Sequence, residues 1–263
     1  MLIALPSLML AGGTVDGRQV VTLVAIFAAL FTIVEYSASS PSLVEFRDAP
    51  PFNRVRFCAL FATVFSLSII FRGYENPSGF TGLFQDSGAH VGAALDFPLS
   101  PVRLMMTMMS EQTSPQTLIA LRDTAGLAYT ISILSIVWFV LLLRLQQWPR
   151  RGGAFNVWVN LPTFDPTAGG DVVRRLQRDA QFNVLLGILL PFLIPVVVKF
   201  AAWLGAPIVL NDPQTMIWTV TAWAFLPAGI VMRGIALNRV AKMIRQQRQR
   251  AYEKAAANGY LPA

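Results

Sequence analysis

The chain has 263 residues, of which 54% are hydrophobic and only 13% charged, and its mean hydropathy is +0.54. Soluble domains carry about 25% charged residues, so the composition excludes an ordinary soluble enzyme and a charge-rich disordered tail alike. The net charge is nevertheless +7, and where that charge sits is the most informative property of the sequence.

The first twelve residues, MLIALPSLMLAG, are apolar but too short to cross a bilayer. A cleavable signal needs a basic start and small residues before the cut. Here no base precedes Arg18, and Met9 and Leu10 occupy the cleavage region. A retained segment lying in the outer interface is therefore expected. A hydrocarbon core about 30 Å thick needs roughly 20 residues of helix. Five stretches answer to that: Val20–Tyr36, Pro51–Phe71, Ala125–Leu145, Phe182–Leu204 and Pro213–Met232. Lipid offers backbone groups no partner, so each is read as helix. The expected fold is all-α, a polytopic membrane helix bundle forming a single domain over 1–263, with short interfacial helices.

Helix starts are marked by a capping side chain followed by proline, at Ser40-Pro41, Ser100-Pro101, Ser114-Pro115 and Asp212-Pro213. Asp171 is a fifth start, opening VVRRLQRDAQ, which runs on into the fourth span. The long loop 72–124 begins with GYENPSGFTGLFQDSGAHVGAALDFPLS, a Gly- and Ser-rich run that reads as irregular structure. Two short helices follow, 101–110 and from 115 onward, the second able to join span three. In loop 146–181, Phe155, Val157, Val159 and Leu161 alternate with polar residues or tryptophan, which predicts a short extended segment. In the tail 233–263, Leu237, Val240, Ala241 and Ile244 recur at helical spacing. Arg239, Lys242, Arg245, Arg248 and Arg250 fill much of the remainder, giving a basic amphipathic helix. It suits a topogenic stop signal with a solvated end, anionic headgroups or a protein partner, and its charge calls for no nucleic acid.

With the N-terminus outside, the cytoplasmic segments become 37–50, 146–181 and 233–263. Including the flanking Arg54, Arg56 and Arg144, they hold sixteen bases against four outside, namely Arg18, Arg72, Arg103 and Arg122. Cytoplasmic acids number six and outer acids seven, giving +10 inside and −3 outside, with Glu35 and Lys199 cancelling. This is a strong positive-inside bias. Arg outnumbers Lys 18 to 3, a composition associated with GC-rich bacterial genomes, which points to a bacterial inner membrane.

Candidate chemistry is sparse. Apart from Arg54, Arg56 and Arg144 at the cytoplasmic ends of their spans, Glu35 and Lys199 are the charged residues inside or at the rim of spans, but they fall near opposite rims, which suits anchoring better than ion movement. Glu35 has the Ser37–Ser40 turn or Arg54 as nearby partners. Pro191 and Pro195 share a face of span four and Pro227 interrupts span five, bending both helices. His90 with Met105, Met108 and Met109 forms the weak copper(I) candidate, set against ordinary apolar packing of the methionines. Cys58 is the single cysteine, so no intrachain disulfide or paired-thiolate metal site exists. The motifs HExxH, GxSxG, GxxxxGK[ST] and GxGxxG are missing, and no span carries a histidine for haem. No catalytic residue, cofactor or metal is assigned. Small-residue pairs Ala25/Ala29, Ala128/Ser132 and Ala224/Ala228 favour close helix packing.

The expectation is a non-catalytic scaffold, accessory or assembly subunit of a membrane complex, using 72–124 and 150–181 as contact surfaces. A small-solute or ion transporter working through the kinked helices 182–204 and 213–232 is the alternative. A membrane enzyme with an unfamiliar motif stands third.

Overall fold

Long apolar runs fold as helices because each N–H then meets a carbonyl of its own segment. A computed structural model of the protein is 81% helical, and no strand occurs among the described residues. These are 1–10, 15–47, 50–110, 112–146, 148, 157–165, 169–205, 210 and 212–258. The helices are α1 (Leu5–Met9), α2 (Val15–Ser37), α3 (Pro50–Glu75), α4 (Gly79–Leu95) and α5 (Pro101–Thr107). They continue with α6 (Pro115–Leu145), α7 (Val157–Asn160), α8 (Val172–Trp203) and α9 (Pro213–Ala257). Five of them, α2, α3, α6, α8 and α9, are long and apolar enough to cross a membrane.

Most of the start signals hold at atomic detail. The Ser100 and Ser114 hydroxyls accept from the Arg103 and Thr117 N–H at 3.0 and 3.1 Å. Asp212 accepts from Thr215 N–H at 2.7 Å, and Asp171 takes the N–H groups of Val173 and Arg174. The helix from 115 runs unbroken through span three. Ser40-Pro41, by contrast, opens no helix. Five residues after Pro41, Phe46 adopts a left-handed backbone (φ 53°) and buries its ring completely, so side-chain anchoring overrides the local cap.

Two further expectations are corrected. The supposedly irregular 79–95 is the 17-residue α4, opened by a Ser78–Thr81 capping box and packed on α3 and α6. The supposed extended segment is a helical turn over 157–160, although 151–156 lie outside the described residues. Leu161 and Phe164 immediately after it are buried in the core, so the described segment 157–165 lies against the bundle.

α3, α6, α8 and α9 form the packed unit, with α8 and α9 making the most extensive contact. Its interior divides into two apolar clusters, one at each end. Phe46, Phe139, Leu161, Leu176 and Leu237 belong to the first. Leu67, Met105, Leu121, Leu210 and Ile217 belong to the second. Where α8 and α9 cross, side chains are small because the backbones touch. A Cβ on Gly187 would stand 2.7 Å from the Pro227 carbonyl, and one on Gly234 would stand 2.7 Å from that of Ala180. Pro195 has no N–H to offer the Pro191 carbonyl, and the buried Trp223 indole N–H donates to that carbonyl instead, at 3.0 Å. The kink is thus stitched to the neighbouring helix.

α2 behaves differently. Among the described residues it makes no extensive contact with another helix, and only 6% of its apolar window is buried. Ala25 is half-buried and Ala29 exposed, whereas Ala128, Ser132, Ala224 and Ala228 are buried as the spacing suggests. Phe27, Leu30, Ile33 and Val34 of α2, Leu134 and Trp138 of α6, and Leu185 and Val197 of α8 are all exposed. Such an apolar surface has no place in water and is ordinary against lipid. The fold is that of a multi-pass membrane protein.

Candidate functional site

One end of the molecule gathers the turn 38–47, the segment 157–165, the start of α8 and the far half of α9. Most of the chain's bases lie here, and so do its most elaborate polar contacts. At the last turn of α2, Glu35 is buried, and its carboxylate folds over the turn that follows. It accepts from the N–H groups of Ser42, Leu43 and Val44 at 3.1, 2.9 and 3.0 Å, and from the Ser42 hydroxyl at 2.6 Å. The sequence marks Glu35 as an intramembrane acid bonded to a nearby turn. The turn it bonds lies slightly beyond Ser37–Ser40.

Glu45 forms the centre of the site. Arg233 of α9 grips it with both arms, Nε to Oε2 at 2.6 Å and Nη2 to Oε1 at 2.8 Å. The Thr163 hydroxyl donates to the same carboxylate at 2.9 Å, and the third Arg233 nitrogen donates to Asn183 Oδ1 of α8 at 3.2 Å. Main-chain bonds complete the junction: Phe46 N–H donates to the Asn160 carbonyl at 2.7 Å, and the Asn53 amide donates to the Glu45 carbonyl at 2.9 Å. One acid therefore ties together four separate stretches of chain. Beside it the Arg56 guanidinium lies 5.2 Å from the Phe52 ring centre and 5.8 Å from that of Phe225, within cation–π range.

Further along, α9 leaves the apolar unit and continues beside the start of α8. The tail's apolar stripe does not remain free for a membrane surface. Leu237, Val240 and Ala241 bury themselves with Val173, Leu176 and Ala180 of α8, and Ile244 packs on the edge. The reason is local: α8 begins about ten residues before its apolar stretch, with a stripe of its own that is closer than any headgroup. Arg248 then pairs with the Asp171 cap at 2.6 Å, and Arg245 donates to Gln177 at 2.8 Å. The Arg248 guanidinium, helped by the two capping N–H groups, holds the Asp171 carboxyl below the usual carboxylate range. Arg239 is half-buried, whereas Lys242 and Arg250 are exposed.

The other candidates are dispersed. Lys199 is exposed near the far end of α8, at the opposite end from Glu35. Met105 and Met108 are buried in the apolar core, with Met109 packed against it. His90 is exposed on α4, its Nδ1 paired with the Asp86 carbonyl of its own helix at 2.7 Å. Cys58 is exposed on α3.

Sequence reasoning missed Glu45, Arg233, Asn183 and Thr163. It also missed the glycines of α4: Gly88 and Gly92 lie against Asp123 and Gly126 of α6, and a Cβ on Gly126 would stand 2.5 Å from the Gly92 Cα. The spacing GAHVG was a usable signal for that contact. For the acid junction the only signal was a carboxylate set among arginines. Chemically, each acid of the cluster is occupied by N–H, hydroxyl or guanidinium donors. The arrangement joins segments and holds charge. No protein-family model, curated protein or solved structure matches the chain.

Proposed function

We propose that this protein is a non-catalytic accessory or assembly subunit of a larger membrane complex, set in a bacterial cytoplasmic membrane. α2 is its partner-facing element. The observation that carries the reading is the contrast between α2 and the rest. The other spans pack small residues against one another, while α2 stays exposed over most of residues 18–34 and is held by the Glu35 latch at one end. In lipid, helices associate through close packing of small residues, and Ala25 and Ala29 offer such a surface to another chain.

The polar cluster supports the same reading, since Glu35, Glu45 and Asp171 are committed to joining segments. The stitched Pro191–Trp223 contact likewise gives the helix kinks a structural use. The base-rich end faces the cytoplasm by the positive-inside rule, which puts the N-terminus outside.

Purification of the tagged chain from its native membrane in mild detergent tests this. A stoichiometric protein partner is expected, and Ala29→Trp on α2 is expected to release it without lowering the thermal stability of the chain. Recovery of the native chain alone, as a monomer, would overturn the reading. So would a variant that retains its partner in full.

A further inference from the structure

Between α8 and α9 a groove of about 560 Å³ opens sideways at the base-rich end. That volume is in the range of small-molecule sites, roughly 300–1,000 Å³. Its chemistry changes along its length. One end is lined by Gln177, Gln181, Asn238, Arg239 and Lys242, and the other by Leu185, Ile188 and Ile235. From Lys242 to Gly234 is about 12 Å along the helix axis at 1.5 Å per residue. The change from polar to apolar coincides with the point where the apolar stretch of α8 begins, at Phe182.

The polar end is a set of donors. Arg239 and Lys242 bring two positive charges, and no carboxylate lines the groove. The nearby acids are engaged elsewhere: Asp171 with Arg248, and Asp179 beside Arg178 at 4.0 Å. Arg245 donates to Gln177 Oε1, so this lining side chain has its amide N–H groups left as donors. The apolar end is open to the side that lipid would occupy, with Leu185 and Ile188 exposed there. The tight Gly187 and Gly234 contacts behind it fix the groove's depth.

We infer that this groove holds one anionic phospholipid, its phosphate between Arg239 and Lys242 and an acyl chain along Leu185, Ile188 and Ile235. The inference rests on the membrane setting and is independent of whether α2 has a partner. A free phosphate would satisfy the polar end but leave the apolar floor without purpose. A zwitterionic lipid would match the floor but bring an ammonium toward two cations. The anionic lipid matches both.

Native mass spectrometry of the full chain in detergent, titrated with phosphatidylglycerol or phosphatidylcholine of identical acyl chains, tests the assignment. Phosphatidylglycerol is expected to form a single strong adduct that phosphatidylcholine does not. Arg239→Gln with Lys242→Gln is expected to weaken it roughly 30-fold, at the energy typical of two bases near a membrane surface. Leu185→Trp leaves every charge in place and fills the exposed apolar floor, and is expected to weaken the adduct as well. Lys254→Gln, an exposed base outside the groove, is expected to leave it unchanged. Equal retention of the two lipids would overturn the site. So would an adduct indifferent to Leu185→Trp.

Discussion

Glu45 and Arg233 lie 188 residues apart in sequence, yet they share two charge-assisted hydrogen bonds at a half-buried junction. A fork-to-fork pair of this kind fixes orientation as well as distance, and losing one partner strands the other. Glu45→Gln and Arg233→Gln are each expected to cost about 2–3 kcal/mol. The double variant should cost less than the sum of the two, with a coupling of about 1–3 kcal/mol. Thermal unfolding of the four proteins in one detergent measures it. Asp171 makes a prediction of different form. Its carboxyl titrates below its ordinary value of 3.8 because Arg248 and two capping N–H groups favour the charged form. The contribution is therefore fully present above 3.8 and is lost as pH falls through the lowered native value. Hydrogen exchange at the start of α8 should accelerate in that acid range, and Asp171→Asn should abolish the pH dependence. The sequence displays the sign of each of these residues but not the pairing. Glu35 is conspicuous because an acid in a span is rare, whereas Glu45 is inconspicuous among loop residues.

Individual elements were readable where the signal was local and hidden where packing decides. Caps followed by proline located α5, α6 and α9 because the cap bond closes within three residues. α4 was hidden because Gly and Ser favour other conformations when nothing packs on them. Gly88 and Gly92 become an asset only when α6 arrives and the backbones touch. Gly126→Ala is accordingly expected to destabilise by about 1–3 kcal/mol, since its Cβ would meet backbone that cannot yield. Gly82→Ala, with nothing within 4 Å of its Cβ, is expected to be neutral or to stabilise by up to about 1 kcal/mol through helix propensity. Unfolding temperatures of the two variants against the parent chain provide the check. The turn α7 failed for a related reason: four alternating residues weigh less than the burial of Leu161 and Phe164 that follows.

Across the whole molecule, hydropathy located all five long helices, because length and apolarity are sums over many residues and tolerate local error. Charge placement predicts the orientation, and this has a direct measurement. In a Cys58→Ser background, His90→Cys should react with a membrane-impermeant maleimide added to intact cells, and Arg250→Cys should react only after permeabilisation. The reverse pattern would invert the topology. What hydropathy cannot show is that one of the five stands apart, since α2 is as apolar as the spans that pack. That separation has a mechanical consequence. The four packed spans set one another's tilt through fixed contacts, so a change in bilayer thickness must strain them together. α2 has no such neighbours, and its 21 apolar-span residues cover about 32 Å, close to the hydrocarbon depth it must match. Tied to the packed unit at its Glu35 end and in extensive contact with no other described helix of this chain, it answers a thinner bilayer by leaning, together with any partner it holds. The rest of the molecule then keeps its geometry while α2 alone follows the membrane.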